Sequence, residues 1–403
     1  MPADGALIVE VAVVGAGPAG LAAAVALAGA GVDTALMAPA HRGDNRTTAL
    51  LAGSVAALEA LGVWQRCYEY ASPLTAIRII DDRRGLLQAP EVLFEAQEIG
   101  LAAFGHNIEN RHLLAALAGR AAELASLHRI EAAATDLEHG DRGLTLRAAD
   151  ERRVQARIVI GADGRDSLCR KAAGIETESW TYPQTALTCN VEHTRPHQRV
   201  STEFHTSAGP FTLVPLSGQR SSLVWVAGPA SAARLQDLDE DAFSLAAERQ
   251  AHSLLGKMRL AGSRAAFPLA GHTARRLAAS RVALIGEAAH LMPPIGAQGF
   301  NLGIRDAATA AELIVAARKL GDDPGSPELL RRYEDMRRMD VRARTIAVDL
   351  LNRSLLSDFL PLQGLRGLGL SVLERIGPLR RAVMREGVMP RINEPRLMRG
   401  ERL

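Results

Sequence analysis

A continuous apolar strand that runs into a glycine-rich turn and then a helix leaves a chain few folds to choose from. Ile8 to Val14 is such a run, rich in valine as a strand buried on both faces must be. Gly15-Ala16-Gly17-Pro18-Ala19-Gly20 follows; Pro18 opens an alanine-rich helix to about Ala30, and Gly31 ends it. Thr34 to Met37 reads as a second strand, which completes a βαβ unit. Each glycine of the turn has a separate task there. Gly15 permits the sharp turn, Gly17 lets the backbone approach a pyrophosphate, and Gly20 lets helix and strand pack closely. The first N–H groups of the helix then face the phosphate. The same six residues would also serve a close-packed turn without a ligand, so the rest of the chain has to decide. The acid that usually closes the second strand and holds an adenosine ribose is replaced by Ala38.

Further along, a polar loop (His41 to Thr48) leads to an expected helix from about Ala49 to Leu61, and Glu109 to Leu124 reads as another. Arg142 to Arg147 and Val154 to Ile160 suggest a hairpin and a buried strand. From about Tyr182 to Trp225 short alternating runs between Gly, Pro and Ser predict an antiparallel sheet. Arg281 to Ile285 returns to the buried-strand type, Gly299 to Leu320 is helical, and the pattern from Glu328 onward is helical. The expected architecture is α/β: a Rossmann-like domain interrupted by a mostly antiparallel sheet and followed by a helical tail. Its expected parts are 1–72, 106–179 and 271–345 for the nucleotide-binding domain, 73–105 and 180–270 for the inserted sheet, and 346–403 for the tail.

Two later segments carry chemistry. Ile158-Val159-Ile160-Gly161-Ala162-Asp163-Gly164, then Ser167, brings a buried strand to a turn at the carboxyl edge of the sheet, where ligands of open α/β sheets gather. An ordinary Asp-Gly turn capped by Ser167 has the same letters. The third segment says more. Leu284-Ile285-Gly286-Glu287 delivers an acid to a turn, Pro293 and Pro294 stiffen the chain, and Gly296-Ala297-Gln298-Gly299-Phe300-Asn301 starts a helix. A carboxylate there can bond the hydroxyls of a sugar-like chain. The helix N-terminus near Gly299 offers N–H groups to negative charge, such as that on N1 and the C2 carbonyl of a reduced flavin.

With these segments in order, the chain resembles the class A flavoprotein aromatic hydroxylases, and among them the ubiquinone-biosynthesis hydroxylases. The resemblance runs over nearly the whole chain, through the stretch around Arg46, Glu109-Asn110-Arg111-His112-Leu113, Val224-Trp225, and Gln298 to Asp306. It implies FAD, with Arg46 and Arg111 toward the phosphates or adenosine, Asp163 beside the flavin chain, Glu287 at the ribityl hydroxyls, and Gly299 with Asn301 near the pyrimidine edge. Gly15, Ala16, Gly17, Pro18, Ala19, Gly20, Gly286, Pro294, Gly296, Gln298 and Phe300 complete the expected cofactor site. Many relatives carry Asp where this chain has Glu287, and the longer side chain keeps the charge. The reaction implied is ring hydroxylation of a polyprenylated phenol or benzoquinol by O2 through a flavin C4a-hydroperoxide, with NAD(P)H as a transient external donor. A small soluble aromatic such as a hydroxybenzoate is the alternative substrate, and a non-catalytic flavin-binding scaffold is the alternative role.

Other chemistries find no support. The net charge of +2 and the scattered arginines argue against nucleic acid. The eleven histidines and three cysteines (Cys67, Cys169, Cys189) show no metal spacing, and no strand enters a GxSxG elbow. No residue is singled out as a catalytic base; His290 is a candidate with a packing role as its rival, and His112 and His205 are open candidates. The sparse cysteines and the absence of a leader-like start suggest a cytoplasmic protein. From Leu350 to Ile376 leucines recur at three- and four-residue spacing with Arg353, Arg366 and Arg375 among them, and Arg380, Arg381 and Arg385 follow. Such a tail can lie on the inner face of an anionic membrane, cap the nucleotide domain, or dock on other proteins of the pathway.

Overall fold

The computed structural model describes residues 5–40, 43–44, 46–83, 90–140, 143–356, 376–388 and 394–403. Its helices are α1 (Pro18–Gly29), α2 (Ala52–Ala60), α3 (Asn110–Ala122), α4 (Leu168–Ala172) and α5 (Pro229–Asp237). They continue with α6 (Glu240–Gln250), α7 (Gln298–Leu320), α8 (Pro327–Leu356) and α9 (Gly377–Val388).

The first sheet is wound around strand Leu7–Val14, which pairs in parallel with Thr34–Met37 on one side and Arg153–Gly161 on the other. Leu127–Ile130 extends it past Thr34–Met37, and Val282–Leu284 past Arg153–Gly161, both again in parallel. A parallel strand has helices on both faces, which is why these segments read as unbroken apolar runs. Helix α1 is buried from Gly20 to Ala28 and is apolar all round, so it needs cover on every side. The sheet, α3 and α7 supply it.

The second sheet is mostly antiparallel, in the order His290–Leu291, Met258–Ala274, Thr177–His193, Arg220–Ala227, Gly209–Leu216, Val200–Thr206, Ala76–Asp81, Val92–Glu95. One pair, Val200–Thr206 with Ala76–Asp81, is parallel. Alternation gives this sheet two faces. Leu187, Val191, Phe211, Leu223 and Trp225 pack with Phe243 and Ala247 of α6. The residues between them, among them Thr188, Asn190, Ser222 and Val224, face the first domain across a cavity.

Two expectations need correction. Thr47–Leu51 is a strand, not the start of a helix; it pairs antiparallel with Gly105–Glu109, and α2 begins only at Ala52. Local helix propensity loses there to long-range pairing, reinforced when Asn301 donates to the Ala49 carbonyl (2.8 Å) and accepts from the Leu51 N–H (2.8 Å). The chain beyond Glu328 is not helical throughout either: residues 394–403 return to the first domain, where Met398 packs on Gly53. Most of the leucine-rich stretch of the tail lies outside the described residues.

Candidate active site

The first strand ends at a turn whose geometry explains two of its glycines. Gly15 has φ +107°, and a Cβ on it would lie 2.3 Å from the Ala162 carbonyl oxygen; one on Gly20 would lie 2.0 Å from the Gly15 oxygen. Protein packing requires both. Gly17 is different: a Cβ there would meet nothing within 4 Å. The fold does not need that glycine, and the space beside it is free for a ligand that approaches the backbone.

Two cavities meet at this turn. One of about 640 Å³ lies between the first domain and the second sheet; it takes in Gly17, Pro18, Ala19, Gly20, Arg46, Gly286, Glu287, Pro294, Gly299 and Phe300. The other, about 700 Å³, is walled by Gly15, Ala16, Gly17, Ala38 and Asp163. Gly17, Ala162 and Gly164 belong to both, so the two form one elongated trough. Asp166 also stands in the wall of the second cavity, which Ala38 lines as well.

Not every expected residue faces the trough with its side chain. Asp163 spends its carboxylate on capping α4, accepting from the Ser167 hydroxyl (2.6 Å) and the Cys169 N–H (3.1 Å). Arg111 lies outside both cavity walls, ion-paired with Glu109 at 3.1 Å. Asn301 is turned to the strand Thr47–Leu51, and Gln298 donates to the Gly296 carbonyl (2.9 Å) and bonds Arg344. Gly296 and Ala297 are both left-handed (φ +64° and +55°), which swings the chain so that α7 starts with Gly299 and Phe300 at the cavity.

Arg46 reaches across the cavity mouth. It forms a two-pronged pair with Asp44 (2.9 and 2.8 Å), and its guanidinium lies 6.0 Å from the Phe267 ring centre on the opposite sheet. Burial raises the Asp44 carboxyl, but bonds from Arg46 and Asn110 outweigh it and bring its pKa to about 2. His112 stacks on Tyr70 (4.0 Å) and His205 pairs with Glu203 (2.6 Å); neither is in the cavity wall. His290 is in that wall.

Behind the Gly286 turn lies an ionic network that the sequence reading missed. Asp306 accepts from the Gly286 N–H (3.0 Å), His290 Nε2 (2.6 Å) and Arg337 Nε (2.7 Å). Burial raises the Asp306 carboxyl, and His290 and Arg337 more than reverse this, so it is held ionised. Tyr333 donates to the Leu284 carbonyl (2.7 Å) one turn of α8 away. Polar residues at helical spacing on α7 and α8 were the available signal, yet spacing alone does not pair two helices. The sheet wall was missed too: Thr188, Asn190, Ser222, Ser263, Ala265 and Phe267 stand at alternate positions of three strands, legible only once the strands are in register.

The trough suits an FAD. Its pyrophosphate would lie at Gly17 and the α1 N-terminus, and its ribityl chain at Glu287, whose side chain is exposed in the cavity. The isoalloxazine would lie between the α7 N-terminus and the sheet.

Comparison with known proteins points to the same cofactor. Residues 8–347 match the family model described as FAD binding domain. A ubiquinone hydroxylase of Rhodospirillum rubrum, UbiL, is 37% identical over 98% of this chain and 93% of its own. The 3-demethoxyubiquinol 3-hydroxylase of Escherichia coli is 30% identical over 93% and 97%. Among solved structures, Klebsiella pneumoniae HpxO complexed with FAD and uric acid superposes with a TM-score of 0.75 over 94% of this chain and 97% of that one, at 20% identity.

Proposed function

This chain belongs to the FAD binding domain family and is an FAD-dependent monooxygenase, and on that premise we propose that it hydroxylates the ring of a polyprenylated phenol or benzoquinol intermediate of ubiquinone biosynthesis. The observation that carries the substrate class is the sheet wall. Among the described residues, the cavity lining from the three long strands Thr177–His193, Arg220–Ala227 and Met258–Ala274 is apolar or uncharged, with Thr188, Asn190, Ser222, Ser263, Val224 and Phe267 in it. A carboxylated ring would bury a charge against a wall that offers no cation of its own, and Arg46 across the cavity is already paired with Asp44, so the cost is several kcal/mol. A neutral ring with hydroxyl substituents is matched by those side chains. The relatives named as ubiquinone hydroxylases support the same reading.

Bound FAD supplies electron transfer and oxygen activation, and the chain's residues do the placing. Gly17 with the α1 N-terminus would take the pyrophosphate, Glu287 the ribityl hydroxyls, and the N–H groups at Gly299 and Phe300 negative charge on the pyrimidine edge. Asp306 and Arg337 hold the turn that presents Glu287. Phe267 and Arg46 narrow the mouth and limit water. The electron donor in this reading is a nicotinamide that binds transiently, since no second nucleotide loop is present in the sequence.

A prenyl chain places the substrate in a bilayer, and two surfaces fit contact with one. Met339, Ile346 and Leu350 are exposed on α8 beside Arg338 and Arg342, and Leu379 and Val383 are exposed on α9 beside Arg381 and Arg385. No helix among the described residues is long and apolar enough to cross a membrane, so this reading places the chain on the surface. Assembly with other proteins of the pathway through the tail is the rival use of the same residues.

The test is direct. Purified protein with FAD, a reduced nicotinamide and O2 is offered a short-chain prenylated phenol and a hydroxybenzoate. Hydroxylated product is expected only from the neutral ring; product only from the carboxylate would overturn the proposal.

A further inference from the structure

Asn190 and Ser222 stand directly opposite each other on the strands Thr177–His193 and Arg220–Ala227, and both line the larger cavity. Cross-strand partners hold their Cβ atoms about 4.5–5.5 Å apart, so one small ring can reach both side chains. Both are buried, and both are bonded by the strand Gly105–Glu109 of the first domain. Asn190 Nδ2 donates to Glu109 Oε1 (3.2 Å), and Asn107 Nδ2 donates to Ser222 Oγ (3.2 Å).

These two bonds decide what the pair has left to offer. Glu109 also accepts from Arg111 (3.1 Å) and Arg220 (3.2 Å). Burial raises its carboxyl, and the two arginines more than reverse this, so it is ionised. An ionised carboxylate only accepts, which fixes the Asn190 amide with Nδ2 toward Glu109. Oδ1 is left over: it accepts from no described residue, and it is not sealed off from the cavity that Asn190 lines. Asn107 Nδ2 donates to the Val214 and Pro215 carbonyls as well (3.4 and 3.0 Å), so the nitrogen of that amide is the atom facing Ser222. Ser222 Oγ therefore accepts from the protein, and among the described residues its O–H donates to nothing. An acceptor and a donor stand side by side in the wall. Farther along the ladder this character fades, since Thr188 has Val224 and Ala265 as its partners and Phe267 follows.

We propose that Asn190 and Ser222 bind the oxygen edge of the substrate ring as a pair: a ring hydroxyl donates to Asn190 Oδ1, and an oxygen on the neighbouring ring carbon accepts from the Ser222 hydroxyl. This rests on the reading above that the cavity takes a neutral ring, and it narrows that ring to one with two adjacent oxygens. Glu109 and Asn107 are positioning residues, which set the direction in which the two side chains offer their bonds. An analogue that lacks one of the oxygens leaves a polar atom of the pair unmet, and that is the source of discrimination.

The test reads binding to the native holoenzyme from the change in flavin absorbance as ligand is added, so it needs no turnover. Three neutral probes of similar size are compared. The first, ortho-methoxyphenol, carries both oxygens; ortho-ethylphenol has only the hydroxyl, and ortho-ethylanisole only the ether. The first should bind about tenfold more tightly than either of the others, and equal binding of all three overturns the proposal. Ser222→Ala should abolish the advantage over ortho-ethylphenol and leave the affinity for ortho-ethylphenol as it was, because Asn107 keeps its two carbonyl partners. Asn190→Leu should abolish the advantage over ortho-ethylanisole. Advantages that survive both substitutions would sink the pair. Glu109→Gln tests the positioning role: an amide can donate to Asn190 as well as accept from it, which frees the Asn190 amide to turn over. The advantage over ortho-ethylanisole should then shrink toward one while that over ortho-ethylphenol persists. A uniform loss for all three probes, or one in step with FAD content, would make Glu109 a purely structural residue and refute that role. Hydroxylation of a prenylated phenol without such discrimination would spare the substrate reading and remove this inference; discrimination without turnover of any phenol would do the reverse.

Discussion

The trough has one wall made of turns and helix N-termini and another made of a sheet face, and their residues are constrained in opposite ways. On the first wall the backbone is the contact surface. Gly15 and Gly20 are demanded by protein atoms 2.3 and 2.0 Å from where a Cβ would go, so those letters cannot change without moving the fold. On the second wall the contact surface is a row of side chains on a finished ladder. Thr188 or Val224 can be exchanged with little consequence for the sheet, because the neighbouring inward residues Leu187, Leu223 and Trp225 carry its core. The first wall therefore mixes positions the fold fixes, Gly15 and Gly20, with one it leaves free, Gly17, whereas the second is a row the fold leaves free.

The strongest test of the contrast lies behind the first wall. Arg337→Met strands the buried Asp306 carboxylate without its cation, and a loss of about 3–5 kcal/mol is expected, read from urea denaturation of the apoprotein. A change within about 0.5 kcal/mol would mean that the network is not holding the turn.

Next come two glycines with opposite outcomes. Gly20→Ala should cost the apoprotein about 3 kcal/mol, because its Cβ would overlap the Gly15 carbonyl. Gly17→Ala should leave apoprotein stability unchanged, since φ −66° suits alanine and the space is open. Its FAD affinity should fall roughly tenfold as the methyl meets the pyrophosphate. If both variants behaved alike, the division between packing and ligand glycines would be wrong. Glu287→Gln should likewise spare stability and weaken FAD binding about tenfold, by loss of charge-assisted bonds.

Thr188→Arg asks the second wall to change its taste. FAD content should stay the same, while kcat/KM shifts several-fold from the neutral phenol toward a carboxylated ring. Loss of FAD together with activity would show that the walls are not independent.

The smallest expected effect is acid-dependent. Asp44 and Asp340 are depressed from 3.8 to about 2, where burial acting upward is outweighed by Arg46 and Asn110 for the first and by Arg337, Arg305 and Arg344 for the second. A depressed acid stabilises above its unfolded pKa, and that contribution disappears as the folded pKa is approached. Tm should therefore drop between about pH 4 and 2, less steeply in Asp340→Asn.

Sequence alone was enough for the parallel sheet, the Gly15 turn and the Glu287 segment, because each is written locally: a strand buried on both faces is apolar throughout, and a glycine that lets another backbone approach has no substitute. It also carried the family resemblance, and with it the cofactor. Three things were settled only by tertiary structure. Thr47–Leu51 became a strand because Gly105–Glu109 and Asn301 were there to pair with it. Asn301, Asp163 and Gln298 turned their polar ends to the protein rather than the trough, since a side chain bonds whatever donor the fold brings nearest. The Asp306–His290–Arg337 cluster and the uncharged sheet wall arise from helices and strands far apart in the chain, and contacts of that kind leave no local pattern to read.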